Sequence, residues 1–199
     1  MKMYEVGGYV RDEIMGVPSA DIDYSVTLLD GEITMYEHLD IFDPYEIMVA
    51  QLRNMGVKIF RDNEGFPIGA EHFTARGQAP RDFPNHPGRA LDFVLARKEG
   101  NYSDGRRPDD VQVGTLMDDL ARRDFTMNAI AKDADGSYID PFNGQADIAA
   151  GILRAVGDPA DRLTEDALRA VRALRFAVTK GFRIEGHLVF AMQSGTAFY

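Results

Sequence analysis

Apolar and polar positions change their spacing repeatedly along this chain, and each change marks an element. Val6-Gly7-Gly8 leads into Tyr9-Val10-Arg11-Asp12-Glu13-Ile14-Met15, a short helical pattern closed by Gly16 and Pro18. From Asp21 the residues alternate as Asp-Ile-Asp-Tyr-Ser-Val-Thr, rich in β-branched and aromatic types, which predicts a strand. Ile47, Met48, Leu52 and Met55 recur at helical spacing within 43–55 and stop at Gly56. Short strands are expected at 57–60, at 66–73 and at Leu91-Asp92-Phe93-Val94-Leu95, with long Gly-rich and charged loops at 75–90 and 98–110. Two long loops in one domain lean towards function. The remainder reads as helices at 115–131, 145–150 and 164–178, the last with Thr164 as N-cap and Glu165 and Asp166 in its first turn. The pattern gives an α+β domain followed by helices, with a boundary near residue 140.

Composition narrows the class. The chain has 199 residues, 45% of them hydrophobic and 27% charged, which is ordinary for a folded domain. Cysteine is absent, and the four histidines (His38, His72, His86, His187) are too dispersed for a spaced ligand pair, so disulfides, thiol catalysis and structural zinc are excluded. No apolar run approaches the roughly 18 residues of a membrane span, so a soluble, cytoplasmic protein is expected. The net charge of −10 argues against tight sequence-independent nucleic-acid binding. The acidity is uneven, however: residues 1–104 hold ten basic and eighteen acidic side chains, residues 105–199 twelve and fourteen. Local basic patches remain available at Arg106-Arg107, Arg122-Arg123 and Arg169, Arg172 and Arg175.

The candidate chemistry begins with Asp21 and Asp23. On a strand, period 2 puts both carboxylates on one face, where they repel unless a hard divalent cation such as Mg²⁺ lies between them. Isolated Asp-x-Asp pairs occur on surface strands by chance, but here Gly7 and Gly8 open a helix just upstream. Glycines let backbone N–H groups approach a triphosphate, and Arg11 sits one turn on to hold a phosphate oxygen. An ordinary tight turn would explain the glycines but not this combination. Asp92, an acid inside an apolar strand, is the candidate third carboxylate of a two-metal site, its alternative being an edge position facing water. Projected at about 100° per residue, the helix at 164–178 places Ala167, Val171, Leu174 and Val178 on one arc and Glu165, Arg169, Arg172 and Arg175 on another. A solvated charged face is the simplest meaning. The alternative is that Asp166 and Arg169, one turn apart, read the Watson–Crick edge of a base while nearby arginines hold phosphates.

In this order the pieces resemble the class II tRNA nucleotidyltransferase and poly(A) polymerase family. The resemblance is carried by Val6-Gly7-Gly8-Tyr9-Val10-Arg11-Asp12 with Asp21-Ile22-Asp23; by Phe93-Val94-Leu95-Ala96-Arg97 and Arg106-Arg107-Pro108; by Arg122-Arg123-Asp124-Phe125-Thr126-Met127-Asn128-Ala129; and by Glu165-Asp166-Ala167-Leu168-Arg169 with Arg172, Arg175 and Phe176. It implies a DNA polymerase beta-like nucleotidyltransferase head, a mixed sheet with flanking helices, over 1–140 and a short helical neck over 141–199. Gly7, Gly8 and Arg11 would hold the triphosphate, and Asp21 and Asp23 would bind Mg²⁺, two ions being expected. Arg123, Asp124 and Asn128 would contact the nucleotide and its ribose. Asp166 and Arg169 would select CTP and ATP, assisted by Arg172 and Arg175. By spacing alone the Arg122-Arg123-Asp124 block would instead be a helix start capped by Asp124 or Thr126. The implied activity is CCA addition to the 3′ end of tRNA with release of pyrophosphate. The alternatives are a poly(A) polymerase acting on RNA 3′ ends, or a head that binds nucleotide within a larger assembly. Members of the family continue past the base-reading helix into RNA-gripping helices, so a partner supplying these is also an expectation.

Overall fold

The computed structural model describes residues 1–28, 42–99 and 111–194. Strand β1 (Lys2–Val6) runs into helix α1 (Gly8–Ile14) and returns as β2 (Asp23–Thr27), antiparallel to β1 with Val6 opposite Asp23. Helix α2 (Phe42–Asn54) buries Tyr45, Met48, Val49 and Leu52, the stripe its spacing called for. The strands β3 (Lys58–Ile59), β4 (Thr74–Gln78) and β5 (Ala90–Leu95) follow, then a hairpin of β6 (Arg97–Glu99) and β7 (Val111–Val113). After helix α3 (Leu116–Ala121), strands β8 (Ala131–Lys132) and β9 (Tyr138–Ile139) complete one seven-stranded sheet in the order β3-β4-β5-β2-β1-β8-β9. Only β2 and β5 pair in parallel there, and the register sets Asp23 beside Asp92. The rest is helical: α4 (Gly144–Ala150), α5 (Pro159–Glu165), α6 (Leu168–Lys180) and α7 (Gly186–Gln193), with a two-stranded parallel clip of β10 (Ile152–Leu153) and β11 (Arg183–Ile184). This is the α+β architecture expected, a mixed sheet with flanking helices.

One core lies under α2, where Tyr24 stacks on Phe93 at 5.6 Å with Phe83 against both rings. A second joins Phe125, Met127, Leu153, Leu163, Phe176 and Leu188, and a small third around Val6, Leu120, Ala129 and Val156 lies along β1 and α3. Among the described residues no helix is long and apolar enough to cross a membrane.

Three elements differ from the sequence reading. Residues 66–73 are not a strand: Gly69 and Phe73 take left-handed backbone (φ 90° and 54°) around a 3₁₀ turn at Ala70–His72. The strand falls later, at β4, inside the expected loop. There Gly77 permits close approach, since a Cβ at that position would lie 2.7 Å from Val57 Cγ1. The helix expected over 115–131 ends at Ala121. Beyond it Thr126 N–H donates to the Arg154 carbonyl (3.0 Å) and Val156 N–H to the Asp124 carbonyl (3.2 Å), a distant pairing that outweighs local helix preference. Asp124 does accept from Phe125 N–H (2.8 Å), whereas the Thr126 hydroxyl donates to Asp147 (2.7 Å) and caps nothing. The helix expected over 164–178 is two helices. Asp158 caps α5 with Pro159 behind it, Thr164 lies in the last turn of α5, and the chain turns at an extended Asp166 whose carboxylate accepts from Leu168 N–H at 2.9 Å.

The exposed face of α6 carries Arg172 and Arg175 together with the expected apolar arc, and of the three arginines only Arg169 turns inward. Arg169, Ala170, Ala173 and Phe176 are buried, while Leu168, Val171, Leu174 and Val178 are exposed, Val178 to 85%. A solvated charged face is therefore ruled out for Arg169, which is only 8% exposed.

Candidate functional site

The turn between β1 and α1 forms one wall of an open cleft of about 780 Å³. Gly7 holds φ 71°, a conformation L side chains resist, and a Cβ there would come within 2.9 Å of Arg123 Nη1 and 3.5 Å of Asp23 Oδ2. A bare Cα thus lets a cation and a carboxylate from two other elements close in on the same spot. Asp21 and Asp23 line this wall, while Ile22 between them is buried in the sheet core. Residues 122–128 form the floor, and Asp166 and α6 the opposite wall.

Of the candidate site residues in the described part of the chain, all line this cleft except Asp92, which lies beside Asp23 on β5 with Arg76 Nε 3.4 Å from its Oδ1. Burial first and then the neighbouring Asp92 charge push the Asp23 carboxyl above its usual range, and Arg123 opposes them. Burial likewise raises Asp92, against Arg76. Arg106, Arg107 and Pro108 lie outside the described residues.

The floor and far wall are wired together by charged hydrogen bonds. Arg172 Nε and Nη2 both reach Asp124 Oδ2 (2.8 and 2.6 Å), Asp124 Oδ1 accepts from Asn128 Nδ2 (2.9 Å), and Asn128 Oδ1 accepts from Arg11 Nη1 (2.7 Å). Arg11 also pairs with Asp12 (2.7 Å), which Lys180 at the end of α6 reaches at 3.0 Å. Arg169 donates to Glu165 (2.7 Å) and to the carbonyls of Arg162 and Arg122 (3.2 and 3.0 Å), which fixes it at the joint between α5 and α6.

Sequence reading missed several participants. The Phe176 ring is approached by the guanidinium groups of Arg11, Arg172 and Arg175 at 5.2, 5.7 and 4.7 Å from its centroid. Asp12 and Lys180 tie α1 to α6. Asp119, fully buried, holds Arg122 and Arg123, and burial alone would raise its carboxyl, but the two guanidinium charges and their hydrogen bonds bring it down to about 2. Its position three and four residues before two arginines was the available signal.

Among the described residues no three His, Cys, Asp or Glu side chains form a ready-made metal-ligating group. Asp21 and Asp23 offer two carboxylates in an all-oxygen setting, the donor set Mg²⁺ takes when substrate phosphates complete its shell.

Arginine donors facing carboxylates across a glycine turn, on a mixed sheet of this order, define a phosphate-handling head of the nucleotidyltransferase kind. The chain belongs to the Poly A polymerase head domain family, whose sequence profile matches residues 3–154. It is 37% identical over 195 residues to a CCA-adding enzyme of Limosilactobacillus fermentum, covering 98% of this chain and 41% of that protein. Among solved structures it is similar to the Bacillus stearothermophilus CCA-adding enzyme in complex with CTP (TM-score 0.66, 32% identity, 95% of this chain and 38% of that one). It also resembles a tRNA nucleotidyltransferase complexed with a primer tRNA and an incoming ATP analog (TM-score 0.65, 27% identity, 97% of this chain and 46% of that one). The chain spans about two-fifths of the length of the curated relatives it matches. The family's chemistry is metal-dependent nucleotidyl transfer.

Proposed function

We propose that this chain is the catalytic head of an enzyme that transfers CMP and AMP from CTP and ATP to the 3′ end of tRNA in the cytoplasm. One observation carries the reading: Gly7, Gly8, Arg11, Asp21, Asp23, Asp166 and Arg169, drawn from distant stretches of chain, line the same cleft. Residues 1–140 form the head and 141–199 the neck, with α6 presenting the base-selecting wall.

In this mechanism the acceptor 3′ oxygen bonds to the α-phosphorus, the α–β bond breaks and pyrophosphate leaves. Gly7 and Gly8 let the triphosphate lie against the backbone, and Arg11, braced by Asp12 and Asn128, holds a phosphate oxygen. Arg123, Asp124 and Asn128 contact the nucleotide at the floor. Asp166 and Arg169 meet the base edge, their positions fixed by the Leu168 N–H and by Glu165. Arg172 and Arg175, stacked about Phe176, steady the nucleotide from the far wall. Asp21 and Asp23, with Asp92 beside Asp23, would hold two Mg²⁺ ions, which supply charge neutralisation and activation of the attacking hydroxyl.

Incorporation of labelled CTP and ATP into tRNA lacking its 3′ CCA tests the reading, with Asp21→Ala as the inactive control. Addition of C, C and A and then arrest supports it. Long A tails with no use of CTP would show a poly(A) polymerase instead, and nucleotide binding without transfer would leave a binding module. Equal use of full tRNA and an acceptor-stem minihelix would mean that the head suffices, whereas failure with both would point to a partner or further helices that grip the RNA.

A further inference from the structure

Asp119 projects from α3 into the protein and is fully buried. Its Oδ1 accepts from Arg122 Nε (3.1 Å) and Nη2, and its Oδ2 from Arg123 Nη2 (2.9 Å). Arg123 Nη1 continues to the Asn128 carbonyl at 3.3 Å. That same Nη1 lies against the bare Cα of Gly7, where a Cβ would be 2.9 Å from it and 3.5 Å from Asp23 Oδ2, so the two groups converge on one spot. Arg123 therefore stands between two carboxylates. Among the described residues its ion pair is with Asp119 and not with Asp23.

The preference follows from physical chemistry. Asp119 is dry and offers both oxygens to two adjacent guanidinium groups, an arrangement in which charge-assisted hydrogen bonds are strong. Asp23 lies at the cleft wall, and its own surplus of negative charge, shared with Asp92 and Asp21, would draw any unbound cation nearby. Arg123, freed from Asp119, has Asp23 as the acidic neighbour at the same bare face of Gly7.

We propose that Asp119 is a positioning residue that holds the Arg123 guanidinium off Asp23, leaving the Asp21 and Asp23 pair open to a divalent cation. The inference rests on the reading of that pair as the cation site. It assigns to one buried acid two tasks: aiming Arg123 at the floor of the cleft, and preventing the protein's own cation from occupying the place of the metal.

The test is titration of the chain with Mn²⁺ alone, the free ion being followed by electron paramagnetic resonance. Asp119→Asn should weaken Mn²⁺ binding on the order of tenfold, the effect expected when a group supporting a metal ligand is lost. The double variant D119N/R123Q should restore it, because the competing guanidinium is gone; a merely structural role for Asp119 would not be rescued this way. Should D119N not fold, R123Q alone must bind Mn²⁺ at least as tightly as the unmodified chain, and weaker binding overturns the proposal. Unchanged affinity in folded D119N, or no recovery in the double variant, also overturns it. Asp23→Asn separates the layers: if it abolishes Mn²⁺ binding while D119N does not alter it, only the role of Asp119 falls. If Asp23→Asn leaves binding intact, or the unmodified chain binds no Mn²⁺, the cation-site reading falls and takes the proposal with it.

Discussion

Arg172 reaches from α6 to Asp124 and places two of its nitrogens on one carboxylate oxygen, at 2.8 and 2.6 Å. The other oxygen of Asp124 faces Phe125 N–H and the Asn128 amide, which in turn holds Arg11. A single acid therefore sets the spacing between the wall assigned to the base and the arginine assigned to the triphosphate. Asp124→Ala should lower stability by about 2 kcal/mol through buried donors left unpaired. That corresponds to a fall of roughly 4–8 °C in Tm for a chain of this size. Misplacement of Arg11 and Arg172 should reduce kcat/KM on the order of 100-fold. Thermal melts and steady-state transfer assays measure both, and full activity in the variant would refute the linkage.

Two glycines, both at positive φ, separate function from fold. Gly7 (φ 71°) abuts Arg123 and Asp23, whereas Gly16 (φ 69°) has nothing within 4 Å of where a Cβ would be. Alanine should cost about 1 kcal/mol in backbone strain at Gly16 and about 2 kcal/mol at Gly7, whose ψ of −137° lies outside the left-handed helical well. Only Gly7→Ala should also lower nucleotidyl transfer, by about 100-fold, because the methyl displaces Arg123. Equal turnover in the two variants would contradict the assignment.

Asp23 holds its proton more tightly in the folded chain than in the unfolded one, because of burial and then Asp92. The folded state has that advantage below the ordinary carboxylate range and loses it as pH rises through the raised value. At pH 7 without divalent cation Asp23→Asn should therefore melt at a higher temperature than the unmodified chain, although it is inactive. The gain should vanish by about pH 3.5, where both forms are neutral. A gain that is the same at both pH values would rule out the electrostatic cause.

Asp119 has the opposite sign. Although burial disfavours its charge, Arg123 and Arg122 hold its carboxyl at about 2, below the usual 3.8. Its contribution, about 2 kcal/mol, is present above the ordinary carboxylate value and is lost as pH falls from about 4 to about 2. Denaturant unfolding should show Asp119→Asn less stable than the unmodified chain at pH 6 and nearly equal to it at pH 2. A gap that persists at pH 2 would assign the loss to packing rather than to charge.

What could be read from sequence was what depends on near neighbours. The stripe of Met48 and Leu52 and the Gly7-Gly8 turn are set within a few residues and formed where expected, whereas the strand expected from Asp21 begins only at Asp23 and leaves Asp21 just ahead of it. The helix over 115–131 failed because residues 124–126 pair with 154–156, thirty positions away, and no local pattern records that. Asp119 was passed over because a charge on a helix ordinarily faces water; only the side chains of Arg122 and Arg123 make it an interior residue. Arg169 sits inward for the same reason, its acceptor Glu165 coming from α5, and Arg172, although exposed, reaches Asp124 in the segment after α3.

Along α6 the common guide to mutational tolerance fails at the exposed apolar stripe and at two of the arginines. Replacing Val171, Leu174 or Val178 with glutamine removes little packing, since these side chains already stand in water. Replacing Arg169 with leucine leaves Glu165 to Arg162 alone and the Arg122 carbonyl without its donor, and replacing Arg172 removes the guanidinium from Asp124. A profile of acceptable substitutions through this helix would therefore be strict at Arg169 and Arg172 as well as at the buried Ala170, Ala173 and Phe176, and permissive along the bare oily stripe between them and solvent.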